Sequence, residues 1–195
     1  MHKIFNNYYY FIQKNQSQLI DLLPKNTTLI YRDYQNPTNI NELINLKKMC
    51  HKKNKFFFLS NNIKLAIKLD LDGAYIPAFN KSFSHNSYNL KKKFKLIGSA
   101  HNLEEIRIKE KQNITSIFLS PIFKTSKYKK FLGIYKFIKL MKLTKKDIVS
   151  LGGINEKNIK KIKLIGINNI ASISMFQKLQ KKQWITEILF ILKKN

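Results

Sequence analysis

The feature that most constrains the fold is an alternation, repeated along the whole chain, of a short apolar run and a segment with helical spacing. Most runs are apolar at every position, which is typical of strands that are buried on both faces. Strands are predicted at Tyr8–Ile12, Thr28–Tyr31, Phe56–Ser60, Gly73–Ile76, Lys95–Ser99, Ser116–Ser120, Asp147–Leu151 and Asn169–Ile173. Segments such as INELINLKKMCHK and LEEIRIKEKQ follow them and predict helices.

Strands that alternate with helices predict a parallel sheet, and eight such pairs predict a closed (β/α)₈ TIM barrel of the α/β class. No linker, internal repeat or low-complexity block interrupts the pattern, so residues 1–195 are expected to form one domain. The alternative is an open doubly wound sheet, which more often has five or six strands. In a barrel, chemistry is expected at the carboxyl ends of the strands.

The charge of the chain points to an anionic partner only weakly. The formal net charge is +26, and such a balance is typical of proteins that bind nucleic acid. Arg32 and Arg107 are the only arginines, however, and arginine is the residue preferred for bidentate phosphate contacts. A solvated lysine-rich surface is therefore favoured over a nucleic-acid footprint, and an anion site has to be found by position.

Cys50 is the only cysteine, so neither a disulfide framework nor a thiolate metal cluster is predicted. The N-terminal apolar run is too short for a signal peptide, and no apolar run is long enough to span a bilayer. A cytoplasmic protein without a membrane partner is expected.

Two adjacent glycines, Gly152 and Gly153, follow the seventh predicted strand in the stretch LGGIN. Glycine allows backbone N–H groups to approach a ligand, and Asn155 is a suitable N-cap for a helix whose N-terminus would favour an anion. Ser174, after the eighth strand, is a candidate cap of the last helix. Many barrels bind phosphate with these two loops, so a phosphate site is predicted here, with a plain structural turn as the alternative.

Three other loops carry candidate groups. Arg32 ends the second strand, and its guanidinium suits a pyrophosphate; a salt bridge to Asp33 or to another acid at the rim is the alternative. The sixth loop, SPIFKTSKYKKFLG, is long and rich in hydroxyls and lysines that could close over phosphate groups. Ser99 ends the fifth strand, and His101 beyond it is a candidate acid–base group or a surface and capping residue.

The stretches IGSAHNLEEI, SPIFKTS, LGGINEKNI and IASISMF, in this order, resemble the thiamine phosphate synthase/TenI family. The stretches IYRDY and LDGAYIP resemble further segments of that family, so the resemblance covers most of the chain. It implies a TIM barrel and a transferase of thiamine biosynthesis that joins hydroxymethylpyrimidine diphosphate to thiazole phosphate, with Mg²⁺, and releases pyrophosphate. The TenI branch is a metal-independent thiazole tautomerase that uses a histidine where this chain has Ser120–Pro121.

The resemblance also implies roles for single residues. Arg32 matches an arginine that contacts pyrophosphate, and Ser99 matches a serine that contacts the pyrimidine diphosphate, so both are expected to be catalytic. The residues expected to bind substrate or phosphate are Arg32, Ser99, Thr125, Lys127, Lys129, Gly152, Gly153, Ile173 and Ser174. Asn61 and Asn80 stand where the family has two aspartates that help to hold Mg²⁺.

The metal half of this site departs from the family pattern. Asparagine offers only a neutral oxygen, whereas Mg²⁺ sites usually include at least one carboxylate. Residues next to the family arginine and aspartates also differ, since Ile30, Tyr34 and Ser60 replace a glutamine, a lysine and an asparagine. Loop lysines such as Lys127 and Lys129 are candidates for neutralising part of the substrate charge instead.

Four functions therefore stay open at the level of the sequence. A divergent synthase is favoured, followed by a tautomerase-like enzyme, a non-catalytic barrel that binds a phosphate ligand, and a nucleic-acid binder. The expected partners are small phosphorylated substrates, and the sequence does not indicate an oligomeric state.

Overall fold

Eight parallel strands close into a barrel in chain order in the computed structural model, which describes residues 5–13, 17–126 and 130–172. The strands are β1 (Asn7–Ile12), β2 (Thr27–Tyr31), β3 (Phe57–Ser60), β4 (Gly73–Ile76), β5 (Lys95–Ala100), β6 (Ser116–Leu119), β7 (Asp147–Leu151) and β8 (Asn169–Ala171). Strand β1 pairs with β2 along one side and with β8 along the other. The TIM barrel is confirmed, and the open-sheet alternative is wrong; the boundaries 1–195 stay a prediction.

Helices cover the outside of this barrel. They are α1 (Ile40–Lys52), α2 (Ile63–Lys68), α3 (Leu103–Lys111), α4 (Gly133–Lys142) and α5 (Ile159–Leu164). Three of them begin after an asparagine whose side-chain oxygen accepts a backbone N–H of the first turn: Asn39, Asn62 and Asn102. Within the described ranges, no helix is both long and apolar enough to cross a membrane.

The helices predicted in the segments QSQLIDLL after β1 and SYNLKKK after β4 are wrong, because the only helical turns there are 3₁₀ turns at Ser17–Asp21 and Ser84–Ser87 in the described ranges. Pro24 closes the first connection and disfavours helix just before it. In the second, the Ser82 hydroxyl accepts the Ser84 N–H at 3.3 Å, and such side-chain bonds compete with helix formation. The helix predicted after β8 lies outside the described residues.

The barrel interior is filled by side chains and is not a channel. Its core consists of Tyr9, Phe11, Ile30, Phe58, Tyr75, Ile97, Phe118, Val149 and Ala171. The Phe118 ring meets the rings of Tyr9 and Tyr75 edge to face, with centroids 4.8 Å and 5.4 Å away. A larger apolar cluster packs between the strands and the helices. Ligands are therefore expected at the rim, where the strands end.

Candidate active site

The rim at the carboxyl ends of the strands, called the mouth below, contains several of the predicted site residues. Arg32 follows β2, Asn61 follows β3, Asn80 lies in the loop after β4, and Ser99 lies near the end of β5. Gly152 and Gly153 follow β7, and Thr125 is partly buried in the loop between β6 and α4. The predicted residues Lys127, Lys129, Ile173 and Ser174 lie outside the described residues.

Arg32 presents its guanidinium group without a carboxylate partner in the described part of the chain. The guanidinium carbon lies 4.5 Å from the centre of the Phe11 ring, a cation–π contact that fixes the side chain over the barrel interior. The Asp33 carboxylate instead accepts the backbone N–H groups of Gln35 and Asn36, at 3.1 Å and 3.2 Å. The alternative of a salt bridge between Arg32 and Asp33 is therefore wrong.

Ser99 is almost fully buried, and its hydroxyl positions the loop after β4. Its oxygen accepts the backbone N–H of Ala78 at 3.0 Å. Ser99 also forms a hydrogen bond with the hydroxyl of Tyr75, whose pKa is raised by burial, so this phenol stays protonated. The observed contacts of Ser99 are structural, and its contact with a diphosphate stays a prediction.

Asn61 and Asn80 are brought into direct contact. The Asn80 Nδ2 donates to the Asn61 Oδ1 at 2.7 Å, and the Asn80 Oδ1 accepts the Ser82 backbone N–H at 2.9 Å. Asn61 has a φ of 59°, a left-handed conformation that asparagine tolerates better than most residues. Both amide oxygens at these positions are thus already acceptors within the protein.

This donor set does not fit Mg²⁺. The ion prefers rigid octahedral coordination with one or two carboxylates, and neither Asn61 nor Asn80 supplies one. Across the described ranges, no cluster of three or more histidine, cysteine, aspartate or glutamate side chains could hold a metal ion. The expectation of a metal site at these two positions therefore rests on the resemblance alone and conflicts with the chemistry of the side chains.

Tyr34 and Phe79 form an aromatic pair at the mouth, although neither is among the predicted site residues. The Tyr34 hydroxyl lies 2.6 Å from the Ser60 Oγ, and the two rings meet edge to face with centroids 5.7 Å apart. Both rings remain half-exposed or more, at 50% for Tyr34 and 65% for Phe79. The position of Tyr34, two residues beyond Arg32, is the signal in the sequence that could have placed it here.

The glycine pair after β7 is explained first by packing against the loop after β6. The backbone N–H of Ile122 donates to Leu151, and that of Phe123 donates to Gly152, at 3.0 Å and 3.1 Å. A Cβ on Gly152 would lie 2.6 Å from the Pro121 side chain, and one on Gly153 would lie 2.5 Å from a backbone oxygen. Their φ angles of 96° and 70° also favour glycine. Phosphate binding by these glycines stays a prediction.

The predicted helix start after this glycine pair is wrong. Asn155 accepts the Lys157 N–H at 2.9 Å and shapes a turn, whereas α5 begins only at Ile159. Asn155 bonds within a tight turn because its short side chain competes with the helix for nearby N–H groups. With only six residues, α5 gives no argument for an anion site at its N-terminus.

His101 lies beside the start of the sixth loop. Its Nδ1 is 2.8 Å from the backbone oxygen of Ser120 and 3.2 Å from the Ser120 hydroxyl. Its backbone N–H donates to the Glu105 carboxylate at 2.7 Å, next to the Asn102 cap of α3. The backbone of His101 therefore contributes to the cap of α3, whereas its imidazole is exposed at the mouth.

Known proteins resemble this chain in sequence and in fold. The sequence profile described as thiamine monophosphate synthase (TMP-TENI) matches residues 13–176. A thiamine-phosphate synthase from Prochlorococcus marinus is 33% identical over an alignment of 139 residues, which covers 65% of this chain and 38% of that protein. The match thus spans about two fifths of the length of this relative.

The solved structures support the fold. A thiamine phosphate pyrophosphorylase from Pyrococcus furiosus superposes with a TM-score of 0.77 at 19% identity, covering 98% of this chain and 97% of that one. One from Bacteroides thetaiotaomicron gives a TM-score of 0.59 at 18% identity, covering 95% and 93%. The closed eight-stranded barrel and the sequence match over most of its length agree, and the chain belongs to the thiamine monophosphate synthase family.

Proposed function

We propose that this protein is a transferase that joins hydroxymethylpyrimidine diphosphate to thiazole phosphate and releases pyrophosphate, as a thiamine phosphate synthase does. Membership of the family and the closed barrel support the proposal. The single observation that carries it is Arg32, a guanidinium held at the mouth by the Phe11 ring and lacking a carboxylate partner in the described ranges. A guanidinium that is fixed in this way, with no carboxylate partner among the described residues, is suited to a diphosphate.

In this reaction the bond between the pyrimidine methylene carbon and the diphosphate oxygen breaks, and its electron pair leaves with pyrophosphate. The thiazole nitrogen then forms the new carbon–nitrogen bond with its lone pair. Arg32 binds the leaving diphosphate and stabilises the charge that develops on it. Departure of pyrophosphate leaves a carbocation on the pyrimidine methylene carbon. The rings of Tyr34 and Phe79 provide an apolar wall that orients the heteroaromatic substrate and limits the access of water to this carbocation.

The other predicted ligand contacts extend this proposal. Thr125, Lys127 and Lys129 of the sixth loop would bind phosphate groups, as would the glycines after β7 and the turn with Ile173 and Ser174. The substrates are small, soluble and phosphorylated, and we infer that the protein acts in the cytoplasm. A single buried cysteine is compatible with a reducing compartment.

The test is an end-point assay with the purified protein and both phosphorylated precursors. Thiamine phosphate is measured by chromatography, once with added Mg²⁺ and once with a chelator. The proposal predicts product in the wild type and at least tenfold less in Arg32→Ala. Absence of product in the wild type, beside an active synthase as a control, would contradict it.

A thiazole tautomerase is the second candidate. The TenI branch has its histidine at the position of Ser120–Pro121, and the His101 Nδ1 lies 2.8 Å from the backbone oxygen of Ser120. An imidazole at this position could move a proton on the thiazole ring without a diphosphate. Isomerisation of thiazole phosphate that is lost in His101→Ala but kept in Arg32→Ala would favour this candidate. Binding of thiazole phosphate without turnover would instead favour a non-catalytic barrel.

A further inference from the structure

The contact between Asn61 and Asn80 has only one possible arrangement of its amide groups. The backbone N–H of Ser82 can only donate, so Asn80 presents its Oδ1 to Ser82 and its Nδ2 to Asn61. Asn61 must therefore present its Oδ1 to Asn80. The two loops after β3 and β4 are thus joined by a direct hydrogen bond at the positions where the family resemblance expects two metal-binding aspartates.

A buried lysine binds the backbone of the loop that carries Asn80. Lys109 of α3 is 0% exposed, and its Nζ donates to the backbone oxygens of Pro77 and Asn80, at 2.8 Å and 2.9 Å. The third ammonium hydrogen is directed to the Gln112 Oε1 at 2.8 Å, so all three donors are used. At neutral pH the ammonium group places a positive charge against the backbone of the loop after β4.

Gln112 forms further hydrogen bonds with the same loop. Its Nε2 donates to the backbone oxygens of Asn80 and Ser82, at 3.0 Å and 2.8 Å. The loop is therefore held at both ends of the segment that positions the Asn80 amide. A loop with this many buried bonds cannot easily turn its carbonyl groups toward an added ion, because each lost bond would leave a buried polar group unsatisfied.

We propose that the side chains of Asn61, Asn80, Lys109 and Gln112, called the latch below, take the place of a divalent cation at this edge of the mouth. The hydrogen bonds join the two loops that a metal ion would otherwise bridge, and the Lys109 ammonium opposes the approach of a second cation. The diphosphate is then bound by protein cations, first of all Arg32, without a divalent metal. The part about the diphosphate rests on the proposed function, whereas the part about the metal does not.

Manganese binding tests the metal part without any substrate. Mn²⁺ is titrated into metal-free protein, and the free ion is measured by electron paramagnetic resonance. We expect no stoichiometric binding to the wild type below millimolar Mn²⁺, and binding to the double variant Asn61→Asp/Asn80→Asp, which restores two carboxylates. One Mn²⁺ bound tightly by the wild type and lost in Asn61→Ala/Asn80→Ala would overturn the proposal.

The role of Lys109 is tested in the background of this double variant. Adding Lys109→Met should tighten Mn²⁺ binding by about tenfold or more, because a cation close to the ion is removed. Adding Lys111→Met, an exposed lysine at the end of the same helix, should not change it. A purely structural lysine would lower the stability of the protein but leave Mn²⁺ affinity the same in both triple variants. That result would overturn the electrostatic role.

The diphosphate part is tested with inorganic pyrophosphate by calorimetry in the presence of a chelator. We expect binding to the wild type that weakens at least tenfold in Arg32→Ala. Binding that appears only when Mg²⁺ is added would overturn the proposal. If pyrophosphate binds under neither condition, the proposed transferase function fails, while the Mn²⁺ titration still decides whether the latch replaces a metal.

Discussion

Arg32 and Arg107 differ in what their guanidinium groups contact. Arg107 lies on the exposed side of α3 and donates to Glu110 at 2.7 Å, one helical turn away. Arg32 lies over the Phe11 ring and has no such partner in the described ranges. Its charge therefore remains available to a ligand, whereas that of Arg107 is already compensated and well solvated.

We expect Arg32→Ala to weaken pyrophosphate binding by about ten- to a hundredfold, since a charged hydrogen bond contributes about 1.5–3 kcal/mol. Arg32→Lys should recover only part of this affinity, because a lysine cannot form the two parallel bonds of a guanidinium. Isothermal titration calorimetry measures both variants, and Arg107→Ala is the matched control. Equal affinity in the wild type, Arg32→Ala and Arg107→Ala would remove Arg32 from the site.

The sequence identifies single residues of the site better than their contacts. Arg32 is predictable because it is one of two arginines in a lysine-rich chain and follows a strand. The bond between Asn61 and Asn80 is not predictable, because it depends on the conformations of two separate loops, the ones after β3 and β4. The aromatic pair of Tyr34 and Phe79 arises in the same way.

At the scale of elements, the loop after β6 and the loop after β7 act as one packed unit. Their backbones are joined by hydrogen bonds, and Gly153 leaves no room for a Cβ between them. Since the sixth loop also carries the predicted phosphate ligand Thr125, a change at this contact is expected to affect both packing and substrate binding.

Gly153→Ala is expected to destabilise the protein by roughly 2–5 kcal/mol. Strain of the left-handed backbone contributes about 1–2 kcal/mol and overpacking about 1–3 kcal/mol. Gly166→Ala is the matched control, because Gly166 has a φ of 78° but a Cβ there would meet no other atom within 4 Å. In urea unfolding, Gly166→Ala should therefore lower the free energy of unfolding by only about 1–2 kcal/mol. Equal losses in the two variants would mean that packing against the sixth loop is unimportant.

The N-caps show why some helices are predictable and others are not. Helices α1 and α3 combine an apolar stripe with an asparagine cap, and the prediction of both is confirmed. The segment after β4 has neither a stripe of sufficient length nor a free cap, because its serines bond within their own turn. Competition between side chain and backbone for the same N–H groups decides between the two outcomes.

Asn102→Ala should lower the free energy of unfolding by about 0.5–2 kcal/mol, since it leaves the first turn of α3 without its acceptor. The Asn102 Oδ1 accepts the Glu105 N–H at 2.9 Å, and an aspartate could replace it. We therefore expect Asn102→Asp to retain most of the stability in thermal unfolding. A loss as large in Asn102→Asp as in Asn102→Ala would argue against the capping bond as the cause.

For the molecule as a whole, the closed barrel is predictable because its strands are apolar on both faces and recur at short intervals. Closure itself depends on the pairing of β1 with β8, and the sequence indicates it only through the number of strands. The mouth is less predictable than the barrel, because its loops are shaped by polar contacts such as those of Lys109. An isolated lysine in an amphipathic helix gives no sign that it is buried.

Buried ionisable groups should give the protein an unusual stability profile at alkaline pH. Burial lowers the pKa of Lys109 to about 8 from 10.5, so between these values the unfolded chain binds more protons than the folded protein. Stability therefore rises with pH in this range, by up to about 3 kcal/mol. Burial, and to a lesser extent Asp72, raises the pKa of Cys50 to about 12 from 9.0. This shift lowers the stability of the protein as the pH rises, which is opposite to the effect of Lys109. Burial likewise raises the pKa of Tyr9 to about 12.

We expect the free energy of unfolding to increase from about pH 7.5 to about pH 9, to level off as Cys50 begins to oppose Lys109, and to fall above about pH 10. Urea titrations at several pH values measure this profile. Lys109→Met should weaken the initial increase, because the unfolded chain then has no extra proton to lose at this position, whereas Lys55, whose pKa is also lowered by burial, still contributes. Cys50→Ala should make the later decrease shallower, and the exposed Lys111→Met should follow the wild type. A wild-type profile that falls steadily over the whole range, and that Lys109→Met shares, would mean that Lys109 does not carry a buried charge.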